Sequence, residues 1–354
     1  PGLGPDKTTV EFVRVPLSQR FEPQSVRRRA LTLLVGCALV GSVSACGIRV
    51  DTPPPAIPSP PVSEVSRAAA VATADQIAQA ARALGEDPMA SAEGASALLA
   101  AMEVGSAAHI EQLGGFWSPP PRPTDSETTA DNDGDDPVAI APAEALTLLV
   151  DGFAEAKADA AGAADHATAT LFASIALWRA NAAYQLSPYA AAPDGSLPVV
   201  LPVGGVDLTA ISLATFDDVD ELIRGLDAAA FAYEVLAARS TDETHRTSWV
   251  TRADELRNQG QVLAVAAGVN AGANDPRSAV YDVRSLITAD SLTSIATIET
   301  SLASLWINAD VAPALRPVTV DAALASIVVA RQIAPLAALD SPAGIFPGLI
   351  APTQ

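Results

Sequence analysis

The chain has 354 residues, of which 41 are acidic and 21 basic, a net charge of −20, and 49% are apolar with few aromatics. That balance excludes the basic surfaces that hold nucleic acid or anionic headgroups. Two cysteines in the whole chain exclude a disulfide scaffold.

The first readable element is a leader. Arg27–Arg29, the apolar run Ala30–Gly41 and the small residues Ser42–Ala45 stand in the order of a secretory signal. Val43-Ser44-Ala45-Cys46 is similar to the lipobox of bacterial lipoproteins, which implies cleavage before Cys46 and acylation of that residue. Two acyl chains anchor a protein stably, at about 0.8 kcal/mol per buried methylene. An uncleaved anchor helix is the competing reading, because Ala30–Ile48 carries no charge and approaches the ~20 residues of a membrane span. Val26 reads as a GTG start codon, which makes residues 1–25 upstream sequence and 26–45 the signal. Loss of the first 45 residues takes six basic and three acidic side chains and leaves −23. The expected location is the extracytoplasmic face of the cell membrane, with the lipid anchor as its membrane contact and no nucleic-acid partner.

Residues 46–61 are rich in proline and read as an extended stalk. Helical periods then alternate with breakers. Helices are expected over Val62–Leu84, about Ser91–Leu113, about Pro142–Ala161 and Asp165–Leu186, with an acidic, proline-rich loop over 118–142. After an apolar connector over 191–214, Thr215 caps a helix to Arg239. Ser240-Thr241-Asp242-Glu243 reads as a capping box opening a helix to about Ala267. Two more helices follow at about Ala289–Ala309 and Val320–Leu339, with Pro335 distorting the last turn.

The second set of four repeats the first. Ala173-Ser174-Ile175 with Arg179 recurs as Ala325-Ser326-Ile327 with Arg331, and Leu146-Thr147 as Leu292-Thr293. Eight helices of about twenty residues with apolar stripes predict an all-α chain of two tandem four-helix bundles, over 62–190 and 215–349.

Tyr233, Ala279-Val280-Tyr281 and Phe346-Pro347-Gly348-Leu349 give the second half its likeness. It resembles the ferritin-like domain of unknown function found in alanine-rich actinobacterial proteins, over about Thr215–Leu349. The first half, through Ala108-His109 and Leu113-Gly114-Gly115, is similar at greater distance. The resemblance implies a fold and no activity.

A ferritin-like fold prompts a test for metal. Di-iron bundles take a Glu from each of two helices and Glu-x-x-His from each of the other two, a spacing that turns both ligands inward. No Glu-x-x-His occurs; the nearest run is Asp242-Glu243-Thr244-His245, where the acids suit a helix N-terminus. Instead, Glu299 shares a helical sector with Ile295, Leu302 and Trp306, and Arg331 one with Leu324, Ile327 and Val328. Glu299 and Arg331 are expected to pair inside the second bundle, since an unpaired buried charge costs several kcal/mol. The competing picture has Arg331 reaching the rim and Glu299 solvated. Arg179, the repeat of Arg331, is expected to meet Asp75 or Glu103, or water.

Asp131–Asp136 imitates a calcium loop, but glycine falls at its fourth position and Pro142 where the twelfth-position Glu belongs. His109, His166 and His245 lie on different helices; His109, late in its helix, gains from the dipole as a cation. No Gly-x-Ser-x-Gly, Ser-x-x-Lys or phosphate-loop motif occurs. The expectation is a lipid-anchored, non-catalytic envelope protein without a cofactor, binding a membrane-protein or envelope partner. The alternatives are iron binding or storage through Asp75, Glu103 and His109, and an envelope hydrolase with its site between the bundles.

Overall fold

A computed structural model describes residues 61–116, 140–190, 206–212, 216–284, 286–287, 290–333 and 339–349. By its contacts the chain divides into Pro1–Ser59 and Pro60–Gln354, and every described residue falls in the second unit. The signal with Cys46, Thr215, Pro335 and nearly all of the stalk and acidic loop therefore lie outside the described residues.

The chain is all-α, as its periodicities require. Long helices run α1 (Val62–Gly85), α2 (Ala95–Gln112), α3 (Pro142–Gly162), α4 (His166–Leu186), α5 (Asp220–Arg239), α6 (Glu243–Ala266), α7 (Ser291–Asn308) and α8 (Arg316–Ile333). Short polar caps set several starts. Asp165 accepts from Thr168 N, Asp242 from His245 N, and Asp290 from Thr293 N. Asp242 rather than Ser240 opens α6, because Ser240 is already the C-cap of α5. α5 begins at Asp220, later than expected, because β1 (Phe216–Asp218) pairs antiparallel with β2 (Asp310–Val311). α8 begins at Arg316, with Pro317 in its first turn, where its missing N–H costs nothing.

In the first half, α1 lies along α2 and α3 along α4, and the hairpins meet through both α1–α3 and α2–α4. In the second half, α5 lies along α6 and α7 along α8, and the hairpins meet through α5–α7. α8 leans instead onto α3 and α4 of the first half. Lys157 bonds both oxygens of Asp321 at 2.6 and 2.8 Å, and Arg316 donates to Ala160 O and Ala163 O, across that seam. One apolar core runs through both halves, from Val71 and Ile175 to Leu226, Ile298 and Leu324. Residues Pro313–Gln332 are long and apolar enough to cross a membrane, but half of that stretch is buried within the fold, as in a core helix.

Residues 339–349 form a strap over both halves, held by side-chain donors on its carbonyls. From the first half, Trp178 Nε1 donates to Leu339 O, His109 Nε2 to Ile345 O and Ser174 Oγ to Pro347 O. From the second, Ser304 Oγ and Asn308 Nδ2 both donate to Gly348 O, at 3.0 and 2.8 Å. Gly348 has φ +75°, and a Cβ there would stand 2.8 Å from Ile307 Cδ1, so the close approach requires glycine.

Candidate functional site

Tyr233 continues the buried stripe of α5 through Leu222, Leu226 and Ala229; Glu299 stands in that of α7, between Ile295 and Leu302. Arg252 sits on α6 three residues after buried Trp249 and four before buried Leu256, so helical spacing turns it toward the same interior. The three side chains meet. Arg252 Nε donates to Glu299 Oε1 and Arg252 Nη2 to Oε2, each at 2.8 Å, a two-point fork. Tyr233 OH donates to Glu299 Oε1 at 2.7 Å. Glu299 is fully buried. Burial alone would lower the pKa of Arg252; the Glu299 bond and charge more than reverse that, and it stands above the ordinary arginine value. Burial, then the Glu299 carboxylate, pushes Tyr233 well above the usual phenol range, so its proton stays.

Glu299 is therefore buried and ion-paired as expected, but its partner is Arg252, not Arg331. The reason is the lean of α8. Its Arg331 face looks at the first half, where Arg331 Nη1 donates to Asn181 O at 3.1 Å and Asn181 Oδ1 at 2.6 Å, and its guanidinium lies 5.6 Å from the Tyr184 ring centre. Arg331 is half-buried at that seam, and burial lowers its pKa.

Arg179, its repeat, is fully buried and meets neither Asp75 nor Glu103. It donates to Gly152 O at 2.7 Å and Ala70 O at 3.1 Å, carbonyls of α3 and α1. Burial brings its pKa down to about 10, against the weaker pull of Glu155 and Asp159. Asp75 accepts from Gln79 and Glu103 from Arg82, both at the surface. His109 is fully buried, its ring edge-on to Trp178 at 4.7 Å. A carbonyl partner requires the proton on Nε2, and burial drops the pKa to about 3 in spite of that bond. Desolvation thus overrides the helix-end preference for a cation, and His109 is neutral. Asp75, Glu103 and His109 do not converge, and among the described residues no three His, Cys, Asp or Glu side chains could share a metal ion. His166 lies 3.8 Å from Asp310, and His245 stacks on Trp249 with ring centres 5.3 Å apart.

The lean of α8 has a second effect. Where α2 and α4 pack in the first half, their counterparts α6 and α8 stand apart, and a cleft of about 600 Å³ opens over the Arg252–Glu299 pair. Arg252 and Tyr233 form its floor; Leu292, Val329 and Gln332 face the residues of α6 across it. Arg252 was missed in the sequence because an isolated arginine on a polar helix looks solvated; its spacing from Trp249 and Leu256 was the available signal. Compared with known protein families, curated proteins and solved structures, the chain matches none of them.

Proposed function

We propose that this chain is a lipid-anchored protein of the cell envelope, acylated at Cys46, whose two halves are degenerate ferritin-like four-helix bundles with an accessory binding role and no catalysis. One observation carries the reading. The most deeply buried carboxylate among the described residues, Glu299, has both oxygens bound, one by Arg252 and Tyr233 together and the other by Arg252. A carboxylate so engaged is unavailable to a metal, and freeing it would take from Arg252 its buried partner and leave it only the half-exposed Glu255. The fork does by protein charge what a bound cation would do in such a helical interior.

Two measurements test this. Metal content is counted per chain after incubation with ferrous iron and manganese and removal of free ions. Near zero supports the reading; about two equivalents, the load of a two-metal site, overturn it. Fractionation of cells expressing the chain and its Cys46→Ser variant tests the anchor. The parent is expected in the membrane fraction and the variant outside it; equal membrane retention sinks the acylation reading.

A further inference from the structure

The cleft between α6 and α8 presents several oxygens whose own protons are already committed. Ser248 Oγ donates its proton to His245 O at 3.2 Å, and Thr251 Oγ1 donates to Thr247 O at 3.0 Å. Tyr233 gives its proton to Glu299. All three oxygens belong to residues that line the cleft and have no proton left to give, and Gln332 there carries an amide that both donates and accepts. Beside them Glu255 lines the cleft with its side chain 55% exposed. Arg252, the cation here, already directs three N–H bonds, two to Glu299 and one to Glu255 at 3.1 Å.

The charges point the same way. Arg252 and Glu299 cancel as a pair, which leaves the carboxylate of Glu255 in excess. The chain as a whole carries −20, a field that draws cations and repels anions. The opposite side of the cleft has Leu292 and Val329 as its apolar wall, with Gln332 beside them. A volume of about 600 Å³ suits a small organic molecule and is too short for a docked helix.

The geometry points to a binding site for a small organic cation, an ammonium group on an apolar body. The ammonium donates to Glu255 and to the oxygens of Ser248 and Thr251, and the body lies against Leu292 and Val329. This site does not depend on the membrane anchor, nor on the halves being degenerate ferritin-like bundles.

The test titrates the purified full chain by calorimetry with phenethylamine, 2-phenylethanol and 3-phenylpropanoate, which share one body and differ in charge. The amine is expected to bind at least about tenfold more tightly than either analogue. Glu255→Gln, an exposed change, is expected to remove most of that preference with the helical circular dichroism unaltered. Val329→Trp, which fills the cleft without altering charge, is expected to abolish binding. Tightest binding of the carboxylate, equal binding of all three, or no saturable amine binding below about 10 mM overturns the proposal. Amine binding that survives Val329→Trp is attraction to the acidic surface and overturns it as well. N-acetyl-lysinamide as a fourth titrant separates the sources: tighter binding than phenethylamine assigns the cation to a partner's lysine, weaker binding to a free amine, and either supports the ammonium site.

Discussion

Arg179 in the first half and Arg252 in the second are both drawn into helical interiors, and they are held by opposite means, with Arg179 Nε left without a partner. Arg179 has backbone carbonyls from two neighbouring helices and no carboxylate within bonding distance, and burial brings its pKa down. Arg252 has a two-point bond to a buried carboxylate, and its pKa rises. The packing differs in step. The first half closes through α2 and α4; the second leaves α6 and α8 apart, so Arg252 reaches the floor of a cleft. A repeated sequence has thus yielded one sealed interior and one accessible one, because α8, paired with α7, turns its other side to the neighbour half instead of to α6.

The comparison can be broken most directly at Arg252. Arg252→Ala leaves the Glu299 carboxyl buried and without its fork, and urea unfolding is expected to show a loss of about 3–5 kcal/mol. Arg252→Met with Glu299→Leu removes both charges and should recover most of it. A double variant as unstable as the single one would show that the pair is not what the stability reports.

Acid probes the first half next. The unfolded chain protonates His109 near pH 6.5, the folded chain only near 3. The unfolded state therefore binds more protons across that window, and stability falls as pH drops through it. Between pH 6.5 and 5 the loss is about 2 kcal/mol. His109→Gln, which keeps a donor for Ile345 O, should flatten that dependence. An unchanged slope in the variant would place the acid sensitivity elsewhere.

Two glycines sharpen the contrast in rigidity. A Cβ on Gly105 would stand 2.5 Å from Trp178 Cζ2, against a buried indole that cannot move aside; Gly105→Ala should cost about 1–3 kcal/mol. A Cβ on Gly225 would meet Leu305 Cδ1 at 2.2 Å, the free end of a flexible side chain. Gly225→Ala should therefore fall within about 1 kcal/mol of the parent, as better helix propensity offsets the shift. Equal losses in thermal melts would remove the distinction.

The smallest effect is expected at Arg179. Arg179→Met relieves a buried charge and forfeits two bonds to carbonyls of α1 and α3, so stability should change by less than about 1 kcal/mol. A loss as large as that of Arg252→Ala would mean that Glu155 or Asp159 pairs with it in solution, and the two halves would be alike after all.

Much of this was legible in the residues. Stripe, cap and breaker placed most of the long helices to within a few residues, and the position of Glu299 between Ile295 and Leu302 made a buried acid one of two open readings. The partner was not legible. Periodicity says which way a side chain faces on its own helix, not which neighbour it meets; that depends on how one hairpin leans on the next. Arg331 has the right face for an interior pair, and the lean of α8 carries it to Asn181 instead. The short β1–β2 pairing was invisible for a similar reason, since two or three residues are too few for a period. His109 could be placed on its helix, but its neutrality follows from Trp178, Phe346 and a strap some 236 residues away in sequence.

That strap governs the order in which the chain can be finished. His109, Ser174 and Trp178 belong to helices that leave the ribosome early, while the carbonyls they serve emerge only with residues 339–349. Domains generally mature one after another during synthesis, yet here the earlier half waits with buried donors unanswered until the later one has followed. A nascent chain paused before Leu339 should be loose in both halves at once, and a chaperone would meet a single slow substrate instead of two quick ones.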